Sequence, residues 1–223
     1  MNKYLIKWIK KSVYLFVFAG FISVSAGSYE DFFSAIQRDD ANAVAQLLAR
    51  GFDPDTMDPK GQNGLYLALR EPSLKAAGIL VDWPKTDVNM LNAQGESALM
   101  MAALKGYLDI AARLIQKGAD VNKTGWAPLH YAASNGHLAI MSLLLDNHAY
   151  IDAESPNGTT PLMMAALYGT ASAVKLLLEA GADPLLKNQQ GLTAINFAQR
   201  ASRAEAVEII AAFVRSRQPK GKW

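Results

Sequence analysis

The chain has 223 residues, 51% apolar and 19% charged, a balance that excludes an intrinsically disordered polypeptide. Cysteine is absent, which excludes disulfide stapling, thiolate catalysis and thiolate-bound zinc. The formal charge of +2 is uneven: Lys3, Lys7, Lys10 and Lys11 lie in the first 26 residues with no acid among them, leaving 18 basic residues against 20 acids and little support for nucleic-acid binding.

Residues 1–26 combine a basic start, an apolar run from Val13 to Ile22, and the small residues Val24, Ser25 and Ala26, with Gly27 following. That order predicts a secretory signal cut after Ala26, and the form of the signal points to a bacterial periplasm. The alternative is an uncleaved inner-membrane anchor. Ser12 to Val24 spans only 13 residues, whereas a membrane-crossing helix needs about 20. No stable membrane insertion is therefore expected after cleavage.

Units of helix pairs are predicted from there on. Residues 29–60 carry Phe32, Phe33, Ile36, Val44, Leu47 and Leu48 before Gly51, with Glu30, Asp31, Asp39 and Asp40 solvating an outer end. Residues 61–94 contain Arg70-Glu71-Pro72 and Asp82-Trp83-Pro84, where local irregularity is expected. Residues 95–124 and 125–157 place Ala111, Leu114 and Ile115, then Ile140, Leu143 and Leu144, on helical stripes. In residues 158–190, a hydroxyl of Thr159-Thr160 can cap a helix that has Pro161 in its first turn. A second helix carries Val174, Leu177 and Leu178 and stops at Gly181. Residues 191–215 keep Thr193 and Ala198 but have Gln199-Arg200 where two alanines are expected, as suits a cap. A basic tail at 218–223 follows, and Arg215, Arg217, Lys220 and Lys222 are expected to form a solvated, frayed end.

The units repeat. Leu65, Leu99, Leu129, Leu162 and Ile195 are separated by 34, 30, 33 and 33 residues, and Gly61, Gly95, Gly125, Gly158 and Gly191 keep step. The short interval reflects a shortened finger between Gly118 and Gly125. With Thr160-Pro161-Leu162, Ala127-Pro128-Leu129-His130 and two Gly-Ala-Asp turns, the chain resembles the ankyrin repeat over residues from about 29 to 215. The resemblance implies an all-α solenoid of about six helix–turn–helix units with short β-turn fingers. Six such units fill residues 27–217 and leave no room there for a second domain.

Signals of chemistry are few. No phosphate-cradling loop, metalloprotease helix or nucleophile elbow occurs. His130 sits at the histidine of the Pro-Leu-His motif and is expected to hydrogen-bond between units; His137 follows a turn glycine, and His148 occupies a finger glycine slot. These three are not expected to converge on a metal. Asp120, Asp152 and Asp183 are read as finger residues bonding their own backbone rather than as a catalytic pair. Met100-Met101 and Met163-Met164 are read as core. No enzyme, cofactor or metal is expected, and the chain is expected to be a monomer.

The resemblance places a protein partner on the concave face, made by finger tips and first helices. Positions that differ between units are free of packing demands. They give Glu96, Leu104 and Lys105, then Lys123, Thr124, Trp126, Ser134 and Asn135, then Asn157, Thr159, Leu167 and Tyr168. Trp126, Leu104, Leu167 and Tyr168 are expected to form an apolar and aromatic ladder with a polar rim. Leu104 and Leu167 also read as residues closing the inter-helix turn. The expected function is scaffolding or stabilising a periplasmic protein; the alternative is a stoichiometric inhibitor or immunity protein for a periplasmic toxin or enzyme, and the rival from another class is an enzyme with an unrecognised site.

Overall fold

The computed structural model describes residues 27–217; the expected signal at 1–26 and the tail at 218–223 lie outside the described residues. Twelve helices occur among the described residues, joined as pairs. They are α1 (27–37) with α2 (Ala41–Ala49), α3 (Gly64–Arg70) with α4 (Leu74–Asp82), and α5 (Ala98–Lys105) with α6 (Leu108–Gln116). Then follow α7 (Pro128–Asn135) with α8 (Leu138–Asp146), α9 (Pro161–Leu167) with α10 (Ala171–Glu179), and α11 (Ala194–Arg200) with α12 (Ala204–Arg217). Among the described residues extended pairing is limited to two isolated bridges, Met57 with Asn63 and Leu91 with Ser97, both in fingers.

Local chemistry sets the helix starts. The side chains of Asn63, Ser97 and Thr160 accept the N–H of Tyr66 at 2.8 Å, Met100 at 3.2 Å and Met163 at 3.4 Å, which satisfies otherwise orphaned donors. Ala127 has no such group. There Pro128 has no N–H that needs an acceptor, and His130 Nδ1 accepts the Ala127 N–H at 3.1 Å. The fingers turn on Asn92 and Asn188, whose Oδ1 atoms accept two backbone N–H groups each.

Helices this short cannot bury an apolar face alone, so they stack. The first helices α3, α5, α7, α9 and α11 pack in one row, and α2, α4, α6, α8, α10 and α12 in a second. Leu65, Leu99, Leu129 and Leu162 are fully buried along the first row, and alanines such as Ala68, Ala102, Ala132 and Ala165 let the helices approach. Ile195 in the last unit is only partly buried, as the end of a stack requires. At the opposite end the Phe32 ring lies against Gly64, where an added Cβ would come within 2.7 Å of it.

The turn between paired helices uses left-handed backbone at Asp39, Gly106, Gly136 and Ser202, with φ of 53°, 81°, 68° and 56°. Pro72 stands at the same place in the second unit, between α3 and α4. Arg215 and Arg217 are exposed, as expected, but not frayed. Both are helical, and the Arg217 guanidinium lies 4.2 Å above the Phe213 ring.

Candidate functional site

The finger ends and the exposed sides of the first helices, which the ankyrin resemblance makes the concave face, follow the row of α3, α5, α7, α9 and α11. At its centre Gly125, at φ 84°, releases the chain into Trp126, directly before α7. The indole meets the His130 ring edge-on at 5.2 Å and the Tyr131 ring at 6.5 Å. With Met164 of α9, these side chains line an apolar recess of about 230 Å³. His130 forms its floor. It is fully buried, and with Nδ1 accepting from Ala127 its Nε2 donates to the Thr159 carbonyl at 2.9 Å in the next unit. Burial lowers its pKa below the ordinary 6.5, favouring the neutral ring.

Next to the recess, one carboxylate joins three units. Glu96 Oε2 accepts from Tyr66 at 2.5 Å and from Asn92 at 2.9 Å, and Oε1 accepts from Tyr131 at 3.3 Å. Burial, reinforced by the Glu96 charge, pushes the Tyr131 hydroxyl up to about 12 and raises that of Tyr66 as well. Both hydroxyls therefore stay protonated donors and hold Glu96 in place.

The other residues expected at the interface divide by location. Leu104, Lys105, Asn135, Leu167 and Tyr168 lie at the C-terminal ends of α5, α7 and α9, roughly 12 Å of helix away from the Trp126 end. The expected single ladder is thus two separate groups. Tyr168 and Lys105 are exposed, whereas Leu104 packs partly against the core. The Leu104 carbonyl accepts from Asn135 Nδ2 at 2.7 Å and His137 Nε2 at 3.1 Å, so Leu104 closes the turn. Lys123 is partly buried and donates to the Thr124 carbonyl at 3.2 Å.

Two expectations are corrected. Ser134 is buried, its hydroxyl donating to the Tyr131 carbonyl at 2.8 Å. Thr159 is buried too: its N–H donates to Ser155 Oγ at 2.9 Å and its carbonyl holds His130. Both belong to the frame because their polar groups are spent inside it. Asp152 also differs, since its carboxylate accepts the Asp183 N–H of the next unit rather than its own backbone, while Asp183 does bond locally to Leu185 N–H.

Tyr66, Tyr131, Met164 and Arg203 were not anticipated. Leu67, Met101, Tyr131, Met164 and Phe197 form a column of differing side chains two places after the motif leucine, a signal of the same kind that exposed Trp126. Arg203 covers the end of α9, donating to the carbonyls of Leu167 at 3.0 Å, Tyr168 at 2.8 Å and Gly169. Among the described residues no cluster of three or more metal-ligating side chains occurs, and no helix is long and apolar enough to cross a membrane.

A family model described as ankyrin repeats matches residues 32–124, 70–155 and 129–217. The chain is 33% identical over 159 residues to the nuclear factor NF-kappa-B p105 subunit of Gallus gallus, covering 68% of this chain and 16% of that protein. It is 31% identical over 152 residues to the B-cell lymphoma 3 protein homolog of Mus musculus, covering 65% and 34%. It therefore spans only a minor part of the length of these relatives. Among solved structures it is similar to the human ASB11 ankyrin repeat domain, with TM-score 0.73, 27% identity and 82% of each chain covered. It is also similar to a chain of the Bd0816 predatory endopeptidase from Bdellovibrio bacteriovorus in complex with immunity protein Bd3460. That match has TM-score 0.70 and 28% identity, and covers 82% of this chain and 97% of that one.

Proposed function

The chain belongs to the ankyrin-repeat family, and from that premise we propose that it binds a folded protein partner on its concave face, as scaffold or stabiliser, and catalyses no reaction. The observation that carries this reading is the recess of Trp126, Tyr131 and Met164, an open apolar hollow lined by rigid rings. A preformed aromatic seat loses little side-chain entropy when filled, which is how a few residues come to dominate an interface. Tyr168, 60% exposed at the far end of α9, extends the face. The reading includes location: residues 1–26 direct the chain to a bacterial periplasm and are removed after Ala26. Amino-terminal sequencing of the mature protein then begins at Gly27; retention of Met1 contradicts cleavage.

Affinity capture from periplasmic extract tests the docking reading, with the parent compared to Trp126→Ala and, separately, Tyr168→Ala. Retention of a partner by the parent and its loss from Trp126→Ala supports the recess. Equal retention by all three moves the interface off the concave face. A second reading, a stoichiometric inhibitor or immunity protein, draws on the similarity to a chain of the endopeptidase–immunity protein complex. It predicts that the captured partner is an enzyme whose activity falls to zero at one equivalent; full activity in the complex favours the scaffold.

A further inference from the structure

The recess has a charged neighbour. Glu96 is bonded only by neutral donors, two on Oε2 and the single long bond from Tyr131 on Oε1. Among the described residues no basic side chain pairs with it. Arg70, whose charge reaches Tyr66, is already held by Glu71 at 2.6 Å and Gln62 at 2.5 Å. Lys123 is turned to the Thr124 carbonyl. Tyr131 joins the two features, with its hydroxyl on Glu96 and its ring edge-on to Trp126. The result is a hollow of aromatic rings and a thioether beside a carboxylate oxygen with acceptor capacity to spare.

We propose that this recess receives an arginine side chain presented by the protein partner. Resting on the docking reading above, the assignment names the chemistry the recess selects. The guanidinium stacks on the indole of Trp126, whose π face attracts a cation, with the Tyr131 ring tilted by 64° beside it. Its N–H group donates to Glu96 Oε1 in a charge-assisted bond. A lysine supplies the charge without the planar surface. An apolar side chain fills the hollow but leaves Glu96 covered and unpaired, which is costly.

The test uses the full chain and three small probes: N-acetyl-arginine methylamide, N-acetyl-lysine methylamide and N-acetyl-norleucine methylamide. The reporter is the Trp126 indole N–H signal, assigned through Trp126→Phe. The arginine probe is expected to shift it saturably, and Glu96→Gln is expected to weaken that binding roughly tenfold. Glu96→Gln keeps an acceptor for Tyr66, and an unchanged thermal midpoint verifies its fold. Equal binding of the lysine or norleucine probe, no saturable shift, or an intact response in Glu96→Gln each overturns the assignment. Partner capture separates the two claims. If it survives Glu96→Gln but not Trp126→Ala, the arginine falls and the docking reading stands. If it survives both, neither claim holds.

Discussion

Gly169 and His148 invert the usual logic of glycine positions. Gly169 stands where its counterparts Gly106 and Gly136 are left-handed, yet its own φ is not positive. It is small for a steric reason: an added Cβ would overlap the Ala133 carbonyl oxygen and lie 2.9 Å from the Ala165 Cα. Gly169→Ala should therefore cost about 3 kcal/mol, read as a lower urea midpoint, because backbone on both sides cannot give way. His148 does the opposite, holding φ 64° at the slot of Gly118 and Gly181; His148→Gly should raise stability by about 1 kcal/mol. His130 adds a pH dependence. Its pKa is lowered in the fold from 6.5, chiefly by burial. Its contribution is fully present above the unfolded value and is lost as pH falls below 6.5, where the unfolded chain takes the proton first. Urea midpoints measured from pH 7.5 to 5 should fall for the parent, and the fall should shrink in His130→Gln.

At the scale of elements, successive fingers are latched by one side chain each. Asn89 accepts the Asp120 N–H at 2.7 Å and donates to the Gly118 carbonyl at 2.9 Å. Asn122 does the same with Tyr150 N–H and the His148 carbonyl, both at 2.7 Å. Asp55 and Asp152 fill this role at two other junctions, accepting the N–H of Asp87 and Asp183 but having nothing to donate. Burial raises the pKa of both above 3.8, and the neighbouring Asp87 and Asp183 charges add to it. Asp152→Asn should supply the missing donor and remove a partly buried charge that solvent already screens, gaining less than about 1 kcal/mol at pH 7. The sign is opposite to that of His130: the cost of the charged carboxylate is present at neutral pH and disappears as pH falls through the raised pKa. The advantage of Asp152→Asn should thus narrow in urea titrations between pH 7 and 4. The helix pairs that these latches join were legible from the periodic leucines and the turn glycines, because each depends on residues close in sequence. Arg203 was not, since its three carbonyl partners lie 34 to 36 residues away and meet it only once units stack.

Over the whole molecule, stacking converts a repeat into a surface. Each unit touches its neighbours alone, so the register of about 33 residues decides which side chains share the concave face. Trp126 was visible as a position that differed between units. Its companions were hidden for two reasons. Met164 read as core beside the buried Met163, and Tyr66 and Tyr131 meet Glu96, itself visible as a differing position, only across 30 and 35 residues. The expected ladder failed because Leu104, Leu167 and Tyr168 occupy the opposite helix ends, a separation that sequence spacing within one unit does not convey. What remains is a rigid face with one aromatic seat, on which the proposed binding energy rests. The most direct measurement is the dissociation constant of the captured partner for the parent, for Trp126→Ala, and for Leu108→Ala on α6 of the other helix row. Loss of at least about tenfold in affinity for Trp126→Ala, with Leu108→Ala unchanged, is the predicted result. Parental affinity in Trp126→Ala, or an equal loss in both variants, would contradict it.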